Sequence, residues 1–156
     1  MGVEIERKFL VKHSLWDAFE KPKGEYYRQG YLLTDPNKTI RVRATDSAGY
    51  ITIKGRTVGA SRPEFEYQIP KEEAISLLDT FTENNIEKTR YTIPHEGNTW
   101  EVDVFYGQNL GLIVAEIELT SEDETFICPD WVAEEVTSDA RYYNSKLSIM
   151  PFLHWI

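Results

Sequence analysis

The side chains best placed to do chemistry are carboxylates and cations set two residues apart. Glu4, Glu6 and Lys8 share one parity, and the same spacing recurs in Arg41/Arg43, Glu64/Glu66, Lys88/Arg90, Glu101/Asp103 and Glu116/Glu118, with Lys54 two residues after Thr52. In an extended strand alternate residues point the same way, so each set would line one face. Bulky apolar neighbours such as Ile5, Phe9, Val11, Ile40, Val42, Ile51, Ile53, Phe65, Tyr67, Val102 and Ile117 would occupy the other. Arg offers a rigid fork for phosphate oxygens, Lys a point charge, and carboxylates suit hard divalent cations such as Mg2+. A polyphosphate carrying a bound metal satisfies both halves, whereas either half buried alone carries a large desolvation cost.

The elements that must position these groups are strands. Alternation marks residues 3–11, 39–45, 50–55, 64–69, 87–93, 99–105 and 113–120, with 26–33 as a weaker eighth. Asp35-Pro36-Asn37, Asp46-Ser47-Ala48-Gly49, Gly59-Ala60-Ser61 and Glu96-Gly97-Asn98 supply turns between them, so most neighbours should pair as antiparallel hairpins. Helices are expected from a Ser14 cap, carrying Leu15, Trp16 and Phe19, and from Pro70, carrying Ala74, Leu77, Leu78 and Phe81. A third is expected near Pro129 with Trp131, Val132 and Val136, and a last one from Ser145 to Met150. The class is α+β, mainly β.

Two arrangements accommodate a charged strand face. One is an antiparallel sheet with its polar side in water. The other is a closed barrel with a polar interior and the amphipathic helices outside. Each strand here tends toward one sign of charge, and like charges side by side repel, which favours the enclosed arrangement, where opposite signs meet across a cavity. Its interior would hold Lys8, Arg41, Arg43, Lys54, Lys88 and Arg90 beside Glu4, Glu6, Glu101, Asp103, Glu116 and Glu118.

Bulk properties narrow the class. The 156 residues fit one domain, 1–156, able to bury a core without staples. The single cysteine, Cys128, excludes an internal disulfide framework. The charged N-terminus and the lack of any apolar run near the ~20 residues of a membrane span lead us to expect a cytoplasmic protein with no membrane partner. A net charge of −9 argues against nucleic acid as a partner across the whole surface, while leaving room for a local basic pocket. His13, His95 and His154 fall in a helix start, a turn and the tail, and Tyr26, Tyr27, Tyr142 and Tyr143 read as packing residues, one hydroxyl of which is free to reach a phosphate.

In order along the chain, Glu4-Ile5-Glu6-Arg7-Lys8, Arg41-Val42-Arg43, Thr52-Ile53-Lys54-Gly55, Arg62-Pro63-Glu64-Phe65-Glu66, Lys88-Thr89-Arg90, Glu101-Val102-Asp103-Val104-Phe105, Ala115-Glu116-Ile117-Glu118-Leu119 and the closing Arg141-Tyr142-Tyr143-Asn144-Ser145-Lys146-Leu147-Ser148 resemble the triphosphate tunnel metalloenzymes, or CYTH domain superfamily. The resemblance implies a tunnel of about eight antiparallel strands, closed at one mouth by the C-terminal helix. It also implies Mg2+ or Mn2+ as cofactor and a small-molecule triphosphate as substrate. Carried over residue by residue, Lys8, Arg41, Arg43, Lys54, Lys88 and Arg90 would cradle phosphates, with Arg62 and Lys146 as additions. Glu4, Glu6, Glu116 and Glu118 would ligate metal, and Glu64, Glu66 and Asp103 would bind a second ion, orient its waters or hold the cations. Glu4, Glu6 and Lys8 form the expected catalytic set. The opening Ile5 to Val11 resembles small bacterial members that hydrolyse inorganic triphosphate. Class IV adenylyl cyclase, thiamine triphosphatase and a non-catalytic polyphosphate-binding module remain alternatives, and the apolar outer strand faces leave a homodimer open.

Overall fold

Nine strands, all paired antiparallel, form one sheet in the computed structural model, which describes residues 2–155. They are β1 (Gly2–Val11), β2 (Glu25–Asp35), β3 (Lys38–Thr45), β4 (Gly49–Gly55), β5 (Ser61–Ile69), β6 (Ile86–His95), β7 (Asn98–Phe105), β8 (Ile113–Glu118) and β9 (Val132–Glu135). The order is β5-β4-β3-β2-β6-β7-β8-β1-β9, and a further pairing of β1 with β5 closes the first eight strands into a ring. Tight turns set the hairpin registers. Glu96 and Gly97, both at positive φ, join β6 to β7 as a two-residue loop between His95 and Asn98, a geometry that suits the strand twist.

Strand β1 is the seam. Its residues 2–5 pair with β5, while residues 6–10 pair with β8 on the other side. Past Ile5 the edge that faced β5 still carries backbone groups that need partners. β9 meets that need, with Phe9 opposite Glu135 and Val11 opposite Val132, and the Val136 amide donates to the Lys8 carbonyl at 2.8 Å. The helix expected around Trp131, Val132 and Val136 is therefore an edge strand. Its apolar residues pack as predicted, but the unpaired half of β1 dictates an extended chain.

Three α-helices are present among the described residues: α1 (His13–Ala18), α2 (Lys71–Phe81) and α3 (Asn144–Leu147). Ser14 lies inside the first turn of α1 and Lys12 takes the cap position, while α3 stops short of the expected Met150. Two apolar clusters lie on the outward faces of the strands, and a third lies on the inward face beside the charged rows, where Ile86 stands opposite Gln29, Phe105 opposite Lys88 and Val114 opposite Asp103. Trp16 of α1 packs with Phe9, Trp100 and Trp131, and Ala74 and Leu78 of α2 cover Val42 and Ala44. Leu147 of α3 joins Ile86, Phe105 and Val114. No described helix is long and apolar enough to cross a membrane.

Candidate active site

Because opposed residues of an antiparallel pair share a face, the registers alone place the charged groups in rows around the inside of the ring. Glu4 stands opposite Arg62, Lys8 opposite Glu116, Lys54 opposite Glu64, Thr52 opposite Glu66, and Arg90 opposite Asp103. They surround a cavity of about 430 Å³, within the usual range for small-molecule sites, lined by Glu4, Glu6, Lys8, Arg41, Arg43, Lys54, Arg62, Glu64, Glu66, Lys88, Arg90, Glu116 and Glu118 among others.

Pairing divides the cations into two kinds. Lys8 donates to Glu6 at 2.9 Å and to Glu116, Lys54 donates to Glu4 at 2.9 Å, and Arg90 meets Asp103 at 2.8 Å, Glu116 at 3.2 Å and Glu101 at 3.3 Å. These three already have compensating carboxylates. Arg41 has one long 3.4 Å contact to a carboxylate, that of Glu66, and donates at 3.1 Å to Thr52 Oγ1, which itself donates to Glu66 at 2.8 Å; the buried Arg41 Nε has no partner among the described residues. Arg43 forms no ion pair among them and donates instead to the amide oxygen of Gln29 at 2.9 Å. Arg62 is held by the Gly55 carbonyl at 3.0 Å. A buried guanidinium with spare donors is an anion site by its chemistry.

Titration follows the same division. Burial, with Arg41 and Arg90 nearby, pushes Arg43 down to about 10. Burial also brings the Lys88 ammonium down to about 7, against the pull of Asp103 and with the help of Arg90 and Arg43. Asp103 is held well below the usual carboxylate range in spite of burial, because Arg90 and Lys88 both face it. The two directions agree: Arg90 alone gives Asp103 two bonds, so the carboxylate stays ionised even where Lys88 is marginal. At the other end of the cavity, burial and then Glu4 raise Glu64, and burial, Glu4 and Glu64 raise Glu118.

Carboxylate oxygens of Glu4, Glu64 and Glu118 lie within 4.8 Å of one another. Three hard oxygen donors at that separation can share one divalent cation; burial first and then the neighbouring carboxylates raise the proton affinity of Glu64 and Glu118, a repulsion such an ion would relieve, while at Glu4 burial is outweighed by Lys54, which holds it low. This grouping differs from the expected one. Glu64 joins Glu4 and Glu118 from β5, with Lys54 at 2.9 Å from Glu4 and 3.5 Å from Glu64, while Glu6 and Glu116 gather around Lys8.

Two expected residues are placed elsewhere. Lys146 is exposed and lines a separate outer groove with Ile149, Met150 and Trp155, not the cavity. Asp103 is 1% exposed and lies behind the wall, both oxygens taken by Arg90 and Lys88, so it anchors cations and has no oxygen free for a metal. Tyr27, Gln29, Tyr31 and Asn144 also belong to the site: Tyr27, expected mainly as a packing residue, lines the cavity with Tyr31 and Asn144, Gln29 bonds Asn144 behind the surface, and reasoning from charge alone passed over Gln29, Tyr31 and Asn144. Tyr27, Gln29 and Tyr31 share one parity on β2, the signal that would have found them. Tyr27 meets two cations, its ring centroid 4.7 Å from the Arg43 guanidinium and 5.2 Å from that of Arg90.

A family model described as CYTH domain matches residues 2–150. An inorganic triphosphatase of Acetivibrio thermocellus is 48% identical over 153 residues, covering 97% of each chain. One of Nitrosomonas europaea is 39% identical over 155 residues, covering 94% of this chain and 97% of the relative. Among solved structures, the crystal structure of an inorganic triphosphatase superposes with a TM-score of 0.65 at 36% identity, over 94% of this chain and 97% of the other.

Proposed function

The chain belongs to the CYTH domain family, and on that footing we propose that it hydrolyses the terminal phosphoanhydride bond of inorganic triphosphate in the cytoplasm, with Mg2+ or Mn2+ as cofactor. The observation that carries this reading is the polarised cavity. Arg41 and Arg43, buried with unused donor capacity, share it with the carboxylate cluster of Glu4, Glu64 and Glu118.

In this reading Arg41 and Arg43 grip phosphate oxygens as forks, and Arg62 adds charge from β5. Lys8, Lys54 and Arg90 are neutralised locally, so their main task is to hold Glu4, Glu6 and Glu116 in place. Glu4, Glu64 and Glu118 would hold the cation, which when bound neutralises phosphate charge and makes a coordinated water more acidic. Lys88 gains affinity for a proton when the polyanion arrives, so it stays an ammonium at the cavity wall and adds positive charge to the phosphate site. No covalent nucleophile is needed.

An adenylyl cyclase would need a nucleoside pocket beside the triphosphate site, and the Tyr27 ring on that cavity already meets two guanidiniums. The test is product analysis with inorganic triphosphate, ATP and thiamine triphosphate, each with Mg2+ or Mn2+. Phosphate release fastest from inorganic triphosphate is expected. Cyclic AMP from ATP with little phosphate from inorganic triphosphate would overturn the proposal.

A further inference from the structure

Gln29, on the inward face of β2, is completely buried. Its Oε1 accepts from Arg43 Nε at 2.9 Å, and its Nε2 donates to Asn144 Oδ1 at 3.1 Å, across 115 residues of sequence. The same Asn144 oxygen accepts from Lys88 Nζ at 3.0 Å. Both amide orientations are chemically forced. Arg and Lys can only donate, so each amide must turn its oxygen to the cation, which leaves the Gln29 nitrogen facing the Asn144 oxygen.

The position of these amides is selective. Lys8, Lys54 and Arg90 are each met by carboxylates, whereas Arg43 has a neutral acceptor only and Lys88 has one carboxylate and one amide. An amide oxygen fixes the direction of an N–H as a carboxylate does, but it does not cancel the positive charge. We propose that the Gln29–Asn144 amide bridge is a positioning device that orients Arg43 and Lys88 toward the phosphates, leaving the charge of Arg43 uncompensated and adding no second negative charge to the one Asp103 sets against Lys88, and that it ties α3 to the site. The inference rests on the triphosphatase reading above.

Asn144→Asp is the discriminating variant, because it can keep Oδ1 as acceptor for both donors and adds one negative charge. A carboxylate there relieves the crowded cations in the free protein but repels the incoming polyanion. The expected result is an unchanged or higher melting temperature together with a KM for tripolyphosphate raised ~10-fold or more, and kcat affected less. A merely structural role predicts that stability and KM worsen together. Gln29→Met provides a second arm, in which Arg43 loses its amide acceptor at nearly constant side-chain shape, so KM rises without any gain in melting temperature. KM within about twofold of wild type in both variants, or a fall in stability with KM unmoved, would overturn the inference. Wild-type protein that neither binds nor cleaves tripolyphosphate would overturn the triphosphatase reading, and the inference with it.

Discussion

Asp103→Asn separates a cation anchor from a metal ligand. The wild-type carboxylate accepts Arg90 Nε at 2.8 Å, Arg90 Nη2 at 2.9 Å and Lys88 Nζ at 2.7 Å, at 1% exposure. Asparagine keeps the shape, loses the charge and turns an NH2 toward one of the donors. Removing one partner of a buried ion pair costs about 3–5 kcal/mol. Here the lower end applies. Lys88, already brought down to about 7 by burial, can release its proton instead of staying charged and unpaired. Arg90 cannot, but it keeps Glu116 at 3.2 Å and Glu101 at 3.3 Å. A loss of ~3 kcal/mol at roughly 2–4 °C per kcal/mol gives a fall in melting temperature of about 6–12 °C. Divalent cations should still raise the melting temperature of the variant, because the Glu4, Glu64 and Glu118 cluster does not include Asp103. Thermal melts with and without Mg2+ or Mn2+ check both points. A fall below ~2 °C, or a variant deaf to divalent cations, refutes the anchoring argument.

Tripolyphosphate binding at pH 8 should take up protons, because Lys88 lies near 7 in the free protein and a polyanion raises it. Calorimetric enthalpies that do not depend on the ionisation enthalpy of the buffer would contradict this. Glu64 and Glu118 are raised above the ordinary 4.5, so their contribution to stability is complete below that value and is lost as pH rises through the raised one. In chelator at pH 7, Glu118→Gln should therefore melt higher than wild type by about 1–3 °C while losing the shift caused by divalent cations, and an unaltered metal response would count against the cluster. Arg41→Ala should raise KM for tripolyphosphate ~10-fold or more, whereas Lys146→Ala, on the outer surface, should leave KM and kcat as they are in steady-state assays. A KM increase in Lys146→Ala would mean that α3 rotates in solution.

The ring was legible because parity is a strong constraint. A one-residue slip turns every side chain to the opposite face, so strands with Arg41/Arg43 or Glu116/Glu118 alternating with Val42 or Ile117 have one sensible orientation. β9 was not legible, since its state depends on how far β5 extends along β1, a fact of pairing that Trp131, Val132 and Val136 do not encode. Within the site, charge announced itself and neutral chemistry did not. Gln29 carries no signal except its parity with Tyr27 and Tyr31 on a strand read as weak. Lys146 was misplaced by a rotation. Helical residues advance about 100° each, so with Asn144 facing the cavity a residue two further on lies about 200° round, on the outer side. Asp103 had the correct parity, but parity does not report depth, and Lys88 and Arg90 stand between it and the cavity.

The registers also explain why metal and phosphate should bind as a unit. Glu6 stands opposite Glu118 and Glu101 opposite Glu116, pairs of like charge that destabilise a sheet when nothing lies between them. Arg43, in another sector, is crowded by Arg41 and Arg90. A divalent cation alone relieves only the acidic sector. A polyphosphate alone relieves the basic sector but brings further negative charge toward Glu4, Glu64 and Glu118, so its binding is opposed until a cation occupies that cluster. On the proposed function each ligand should therefore raise the affinity for the other, and linkage requires the two enhancements to be equal. On that reading the free energy withheld by repulsion in the ring returns when both sectors are neutralised together, and tight binding is expected for a ligand that is anionic along its length and carries a metal.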